Sequence, residues 1–566
     1  ADYEHTMSES IRKGHAEVVP KSELRTSPGQ CNYIAHHGVR HPRKNTIRVV
    51  FDTSLKTDGK NLSSFIYHGP DFLNPLTGII FRFRLRRIAV IGDLECFYHS
   101  VYIPRSDRNY YRFFWYKNND PTSIVIEYRV CVHLMGGNSS QSCCLLALND
   151  SIDCAVVAGL LSEEEGKAIK RSFYSDDFGS SFDEVKQAID VVKRTVKFLK
   201  KDNFTLTKLV SNSPEFCAEF SDEKTKLEIV NLTVLDEKTV LGIKWNPRTD
   251  ELFFSYELSS ETINTKRLLL SAIAGIFDPT GLIAFAVLPA KLILQNAFRR
   301  KLGWDDTLPD DMLREIEKWT HTISRVKDLR LPRGFGTNVE SPVVRRELHL
   351  LSDSSEAAYV SMCFLRNVHE NGQISCCLVS TRNRLAPLKT KITIPRLELC
   401  GCLESARLAT IVARELDVPI DRIIYWSDSV AALGFLRNKT TRFAIYVGNR
   451  VDEIQSTTKI EDWRYVPTSL NIADSLSRGS FPEKLENDCY FQGPDFLYKP
   501  ESEWPVEPNH VRTHPLDLKE VRKDQEIVMQ TVVQNVEKSL VNQLFVKIGS
   551  WFRLVSTVAV YLRFKT

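Results

Sequence analysis

Arg171-Ser172-Phe173-Tyr174-Ser175-Asp176-Asp177-Phe178-Gly179 decides the reading of this 566-residue chain. An aromatic residue, a small residue and two adjacent aspartates lie between β-prone residues and a glycine, the pattern of a tight hairpin with two carboxylates at its tip. Adjacent carboxylates repel unless a cation sits between them. Hard oxygen ligands of this kind suit Mg²⁺, which keeps waters and completes its shell with substrate phosphates. A solvated Asp-rich turn has the same composition, and the tetrapeptide alone favours that plainer reading. A functional reading needs a third carboxylate and surroundings that handle phosphate. Asp177-Phe178-Gly179 also matches a kinase metal-binding tripeptide, but no Gly-rich or HRD-like loop accompanies it.

Upstream, Ile88-Ala89-Val90-Ile91-Gly92-Asp93-Leu94-Glu95-Cys96-Phe97-Tyr98 is an apolar strand ending in an acid and followed by aromatics. The order Asp93, then Tyr174-Ser175-Asp176-Asp177, resembles the palm of a reverse transcriptase, and more narrowly the pol region of BEL/Pao-type LTR retrotransposons. The resemblance runs over nearly the whole chain. It implies a multidomain α+β and α/β protein: a polymerase right hand (fingers, palm, thumb), a helical connection, and an RNase H-like domain. The implied boundaries are 1–250 for fingers, palm and primer grip, 251–345 for the thumb and connection, 346–480 for RNase H, and 481–566 for a tail leading towards an integrase.

Composition agrees with several globular domains, at 43% hydrophobic and 26% charged residues with a formal net charge of +4. Between Arg40 and Asp120, however, 14 Lys and Arg face 7 Asp and Glu. Such a basic surface suits nucleic acid, and a solvated charged face would count the same. The 13 cysteines show no CxxC or zinc spacing, which points to reduced thiols and an intracellular protein. The most apolar run, Leu268–Leu294, is broken at Asp278-Pro279-Thr280-Gly281, so no membrane partner is expected. A start at Ala1 without Met reads as a piece of a longer polyprotein whose protease and integrase lie elsewhere.

The resemblance assigns further roles. His36-His37-Gly38-Val39 matches a family motif and reads as structural or phosphate-facing. Lys44 and Arg48 would grip the nucleotide triphosphate, although a basic edge strand would look the same. Arg82-Phe83-Arg84-Leu85-Arg86-Arg87 reads as a basic-aromatic run for template backbone contacts. Tyr98 would screen the ribose 2′-OH, or be a half-buried core aromatic. Gln141 replaces a family proline after Asn138-Ser139-Ser140. Lys208, followed by Leu209 where the family has Trp, is a candidate proton donor to pyrophosphate. Gly242 and Trp245 belong to the implied primer grip.

The second half carries four acids on a strand, helix, strand, helix pattern: Asp353, Glu398, Asp428 and Asp474. Singly, each reads as an N-cap or a helix-dipole acid. Together with Ile394-Pro395-Arg396-Leu397-Glu398-Leu399 and Ala473-Asp474…Ser477-Arg478-Gly479 they resemble the BEL/Pao RNase H site, lacking a His in the loop before the last Asp. The implied activity is RNA-directed DNA polymerase with RNase H. Two Mg²⁺ per active site would be held by Asp93, Asp176 and Asp177 in one and by Asp353, Glu398, Asp428 and Asp474 in the other. The implied partners are an RNA template, a DNA primer, the RNA–DNA hybrid and dNTPs, in a cytoplasmic virus-like particle or the nucleus. Competing readings are a decayed or host-adopted nucleic-acid binder, and a polyprotein peptidase suggested by a family label without any protease motif. Residues 506–530 are polar, and Gln543–Phe564 reads as an amphipathic helix pair.

Overall fold

The apolar run from Ile88 to Ile91, buried on both faces, lies in an inner strand, Ile88–Glu95, of a four-stranded antiparallel sheet in the computed structural model. Its order is Phe173–Tyr174, Asp177–Phe182, Ile88–Glu95, Thr205–Ser211. The structure describes residues 2–521 apart from 28, 41–46, 57–58, 221–237, 255, 257–261, 337–338, 391, 439–440, 480–487 and 510–519. Lys44 and the Gln543–Phe564 segment therefore lie outside the described residues. Ile88, Val90 and Leu94 face the helices Ser140–Val157 and Val185–Lys201 across one apolar cluster. Ala89 and Ile91 face the opposite way, onto Ile79, Ile80 and Phe83 of helix Leu76–Leu85. The period of two in a strand places the sheet between two helical layers and leaves its acid-bearing end free of both.

Before the sheet, a three-stranded sheet (Ala16–Val18, Val125–Val130, Arg112–Tyr116) and the hairpin Ala35–Arg40/Ile47–Asp52 form the fingers-like part. His36 is a packing residue there, ringed by Phe51, Phe113 and Trp115 and hydrogen-bonded to the Tyr3 hydroxyl and the Phe114 carbonyl.

One sheet has strands on both sides of the expected boundary at 250/251. Strands Lys238–Val240, Ile243–Asn246, Glu251–Phe253 and Arg330–Pro332 form one sheet, because the hairpin needs further strands to be stable. Helices Lys266–Ala274, Ala284–Arg299 and Asp310–Arg325 follow. The Asp278 carboxylate accepts the Leu282 and Ile283 amides at 2.8 and 2.9 Å, which turns the chain between the first two helices. No helix among the described residues is long and apolar enough to cross a membrane.

The last unit is a five-stranded sheet ordered Ile374–Leu385, Ala358–His369, Val343–Ser354, Arg422–Ser427, Trp463–Tyr465. The first three strands form an antiparallel meander, and the last two run parallel to the central one. Helix Ile394–Leu416 lies across the central strands. Contacts also cross the expected boundary at 480. Arg366 Nε donates to the Leu497 carbonyl at 2.5 Å, and Trp504 packs edge-on against His349 and near Trp426. These contacts make the segment up to Trp504 part of this unit's core.

Within the basic run Arg82–Arg87, two arginines are withdrawn from any template, while Arg86 is half-buried and Arg87 exposed. Arg82 and Arg84 are buried at 7% and 3% exposure, and Phe81 joins the core of the RNase H-like unit. Arg84 Nε donates to the Arg333 carbonyl at 2.9 Å, and its guanidinium lies over the Phe335 ring. A guanidinium satisfied by buried carbonyls holds protein against protein and offers nothing to a template.

Candidate active sites

In the palm-like sheet, Tyr174 pairs with Asp177 across a two-residue turn, with Ser175 in the left-handed region at φ 57°. The next strand places Asp93 directly opposite Asp177, and the Leu94 amide donates to the Asp176 carbonyl at 2.8 Å. All three aspartates thus stand at one end of one sheet. The Asp177 side chain keeps an exposed surface, yet the surrounding protein, then Asp176 and Asp93, push its carboxyl up to about 6, with Lys208 opposing. Lys208, itself at φ 52°, donates from Nζ to Asp93 Oδ2 at 2.5 Å. A cation is therefore already drawn to this cluster.

Tyr98 is half-buried beside the same end and donates its hydroxyl to Gln141 Oε1. Ser175 Oγ donates to that oxygen at 3.5 Å, while Gln141 Nε2 is buried with no partner. Gln141 thus fills the place of the missing proline and links the tyrosine to the hairpin. Helix Ser140–Val157 still starts there, without a side-chain cap. Arg48 is exposed on the fingers hairpin, opposite Val39. Gly242, at φ 86°, occupies the turn between strands Lys238–Val240 and Ile243–Asn246. Trp245 is fully buried, edge-on to Phe83, and donates Nε1 to Asp250 at 3.0 Å. It anchors the hairpin in the core together with Leu241, and Gly242 in the turn is exposed.

The second site is tighter. Asp353 ends the central strand Val343–Ser354, Glu398 lies in the first turns of helix Ile394–Leu416, and Asp428 follows strand Arg422–Ser427. One carboxylate oxygen from each lies within 4.8 Å of the others, a spacing that can hold a metal ion. Asp353 Oδ2 is buried without a hydrogen-bond partner. Burial, then Asp353, Asp428 and Asp474, push the Glu398 carboxyl up to about 9. Burial also pushes Asp353 up to about 6, against a Ser477 hydrogen bond and helped by Asp428 and Asp474. An orphan acceptor among mutually repelling carboxylates is a donor set that fits a hard divalent cation.

Asp474 stands apart from the triad, because Arg478 one turn along the chain donates to its Oδ1 at 2.7 and 3.1 Å. Asn471, unremarked in the sequence, donates Nδ2 to Asp428 Oδ1 at 3.2 Å and to the Ser352 carbonyl at 3.0 Å. It ties the Asp428 carboxylate to the central strand. Its position three residues before Asp474 was the available signal.

Residues 265–429 match the family model described as the Pao retrotransposon-like RNaseH-like domain. A foamy viral protease-reverse transcriptase, in its dRH form with ds DNA, matches with a TM-score of 0.53 at 14% identity, over 82% of this chain and 69% of that one. The foamy viral protease-reverse transcriptase with RNA/DNA hybrid gives 0.48 at 13%, over 89% and 55%. The form with dsDNA gives 0.46 at 16%, over 82% of each chain. No curated protein matches the sequence. At these identities the structural likeness speaks to the fold alone, and only the first is close enough to use. Fold and family match together define a multidomain mixed α/β protein, similar in fold to a foamy viral protease-reverse transcriptase, with an RNase H-like domain. Within the chain, the segment 265–429 is similar to the Pao retrotransposon-like RNaseH-like family.

Proposed function

We propose that the chain is an RNA-directed DNA polymerase that also hydrolyses the RNA strand of an RNA–DNA hybrid. The observation that carries this reading is the presence of two separate carboxylate clusters, each at a sheet end, on one chain. Asp93, Asp176 and Asp177 would hold Mg²⁺ in the palm, and Asp353, Glu398 and Asp428 would hold it in the second site, with Asp474 adding a ligand once Arg478 releases it. The metal, when bound, supplies Lewis acidity that activates a primer hydroxyl or a water and offsets phosphate charge.

The protein's own groups do the rest. Lys208 leaves Asp93 as the palm fills and keeps its proton at Nζ for the departing pyrophosphate. Tyr98, fixed through its hydroxyl by Gln141, presents its ring where the nucleotide's sugar would lie. Asn471 holds one Asp428 oxygen so that the other faces the shared centre. A second reading, a nucleic-acid binder without turnover, draws on the Lys208–Asp93 ion pair and on Gln141.

The test is primer extension on poly-rA with Mg²⁺, alongside cleavage of a labelled hybrid. Asp176→Asn should abolish extension and spare cleavage, and Asp428→Asn should do the reverse. A folded wild type that binds hybrid in a salt-dependent way but neither extends nor cleaves would establish the second reading.

A further inference from the structure

The segment that carries the Asp176-Asp177 turn is held at its base by the other half of the molecule. Arg171, two residues before strand Phe173–Tyr174, donates Nη1 to Asp417 Oδ1, and Nη2 to the Arg414 carbonyl at 3.0 Å and to Glu415 Oε2 at 3.2 Å. Arg82 donates Nη1 to Glu415 Oε2 at 2.9 Å and to the Glu415 carbonyl at 3.0 Å, and Nη2 to the Arg171 carbonyl at 2.6 Å. Ser181, on the returning strand of the hairpin, donates Oγ to the Arg82 carbonyl. Glu415 is 4% exposed. Gly78 makes room for it, since a Cβ there would lie 2.3 Å from Glu415 Oε2. Glu415 belongs to helix Ile394–Leu416, whose opposite end carries Glu398, roughly 25 Å away along the axis.

We propose that Arg171 is a positioning residue of the polymerase site, and that Glu415 and Asp417 make the RNase H-like unit a working part of that site. Three guanidiniums converge on one buried carboxylate, those of Arg82 and Arg171 on Oε2 and that of Arg414 on Oε1 at 2.9 Å, so the arrangement has a single low-energy geometry. The carboxylate is fixed at the end of a long buried helix, and the hairpin base inherits that position. A displacement of the helix moves Arg171 and, two residues on, the strand that presents Asp176 and Asp177. The proposal rests on the polymerase reading for its catalytic consequence but not for the joint itself.

The experiment uses the full chain as wild type, Glu415→Gln and Asp417→Asn. Three quantities are measured on each preparation: dTTP-dependent extension of a poly-rA-bound primer, cleavage of a labelled hybrid, and amide hydrogen exchange of the peptide 171–182. In Glu415→Gln, kcat for extension should fall at least tenfold with KM for dTTP within threefold. Hybrid cleavage should stay within twofold, and exchange of the peptide should rise at least tenfold. Asp417→Asn touches only the half-exposed partner and should give a smaller change of the same pattern. It carries the test if Glu415→Gln does not fold. Unchanged exchange and extension in folded variants would overturn the proposal. A wild type that does not extend overturns the polymerase reading, and the exchange result then decides the joint independently.

Discussion

Asp353 and Glu398 show how a single carboxylate reports its purpose. A buried acid with raised affinity for its proton keeps that proton in the folded protein and loses it on unfolding. The folded state then binds more protons than the unfolded one, and stability falls as pH rises. The contribution is fully present below the ordinary carboxylate range and is lost on the way up to about 9, where Glu398 ionises. Without metal, the unfolding temperature should therefore drop between pH 5.5 and 8.5, and Glu398→Gln should flatten the slope. Mg²⁺ or Mn²⁺ competes with those protons, so the stabilisation by metal should grow over the same interval. Differential scanning calorimetry in EDTA and in metal checks both, and an equal slope in Glu398→Gln would assign the pH dependence elsewhere. Asp428→Asn should raise the metal-free transition by about 1 kcal/mol, roughly 2–4 °C, by relieving repulsion, and should abolish the metal effect.

Among the elements, the hairpin Lys238–Val240/Ile243–Asn246 gives the clearest contrast between motif and role. Gly242 in its turn is exposed, while Trp245 fills the space beside Phe83 and satisfies its indole N–H on Asp250. Trp245→Ala removes a fully buried aromatic and should cost about 3–5 kcal/mol. In urea denaturation the loss should appear as a lower midpoint, and extension should fall through loss of the folded hairpin. A Trp245→Ala protein with wild-type stability and weakened primer affinity would restore a surface role. The palm hairpin was the easier element to read. Its Tyr-Ser-Asp-Asp turn depends on local backbone preferences, and each strand position follows from a period of two.

Taken whole, the molecule closes its RNase H-like core with residues far along the chain. Phe496, Leu497 and Trp504 are buried, and Trp504 lies against His349. Removing residues 481–566 should destabilise this unit by more than about 5 kcal/mol, given the usual cost of emptying even one or two large aromatic sites. Ending the chain after residue 509 instead keeps those side chains. Soluble yield and hybrid cleavage should separate the two truncations, and equal behaviour would show that the added segment is dispensable.

The sequence by itself determined the order of the acids, the two sheets that carry them and the helix break at Asp278-Pro279-Thr280-Gly281. These depend on spacing, periodicity and local turn chemistry, which act between residues close in the chain. It did not determine the use of Arg82 and Arg84, the burial of Trp245 beside Phe83, or where the units end. A charged or aromatic residue reads the same whether it meets a phosphate, solvent or a buried carboxylate. The partner that decides, such as Glu415 for Arg82 or Leu497 for Arg366, lies more than a hundred residues away. Only tertiary packing brings those groups together, because desolvation and pairing are set by what surrounds a side chain in space.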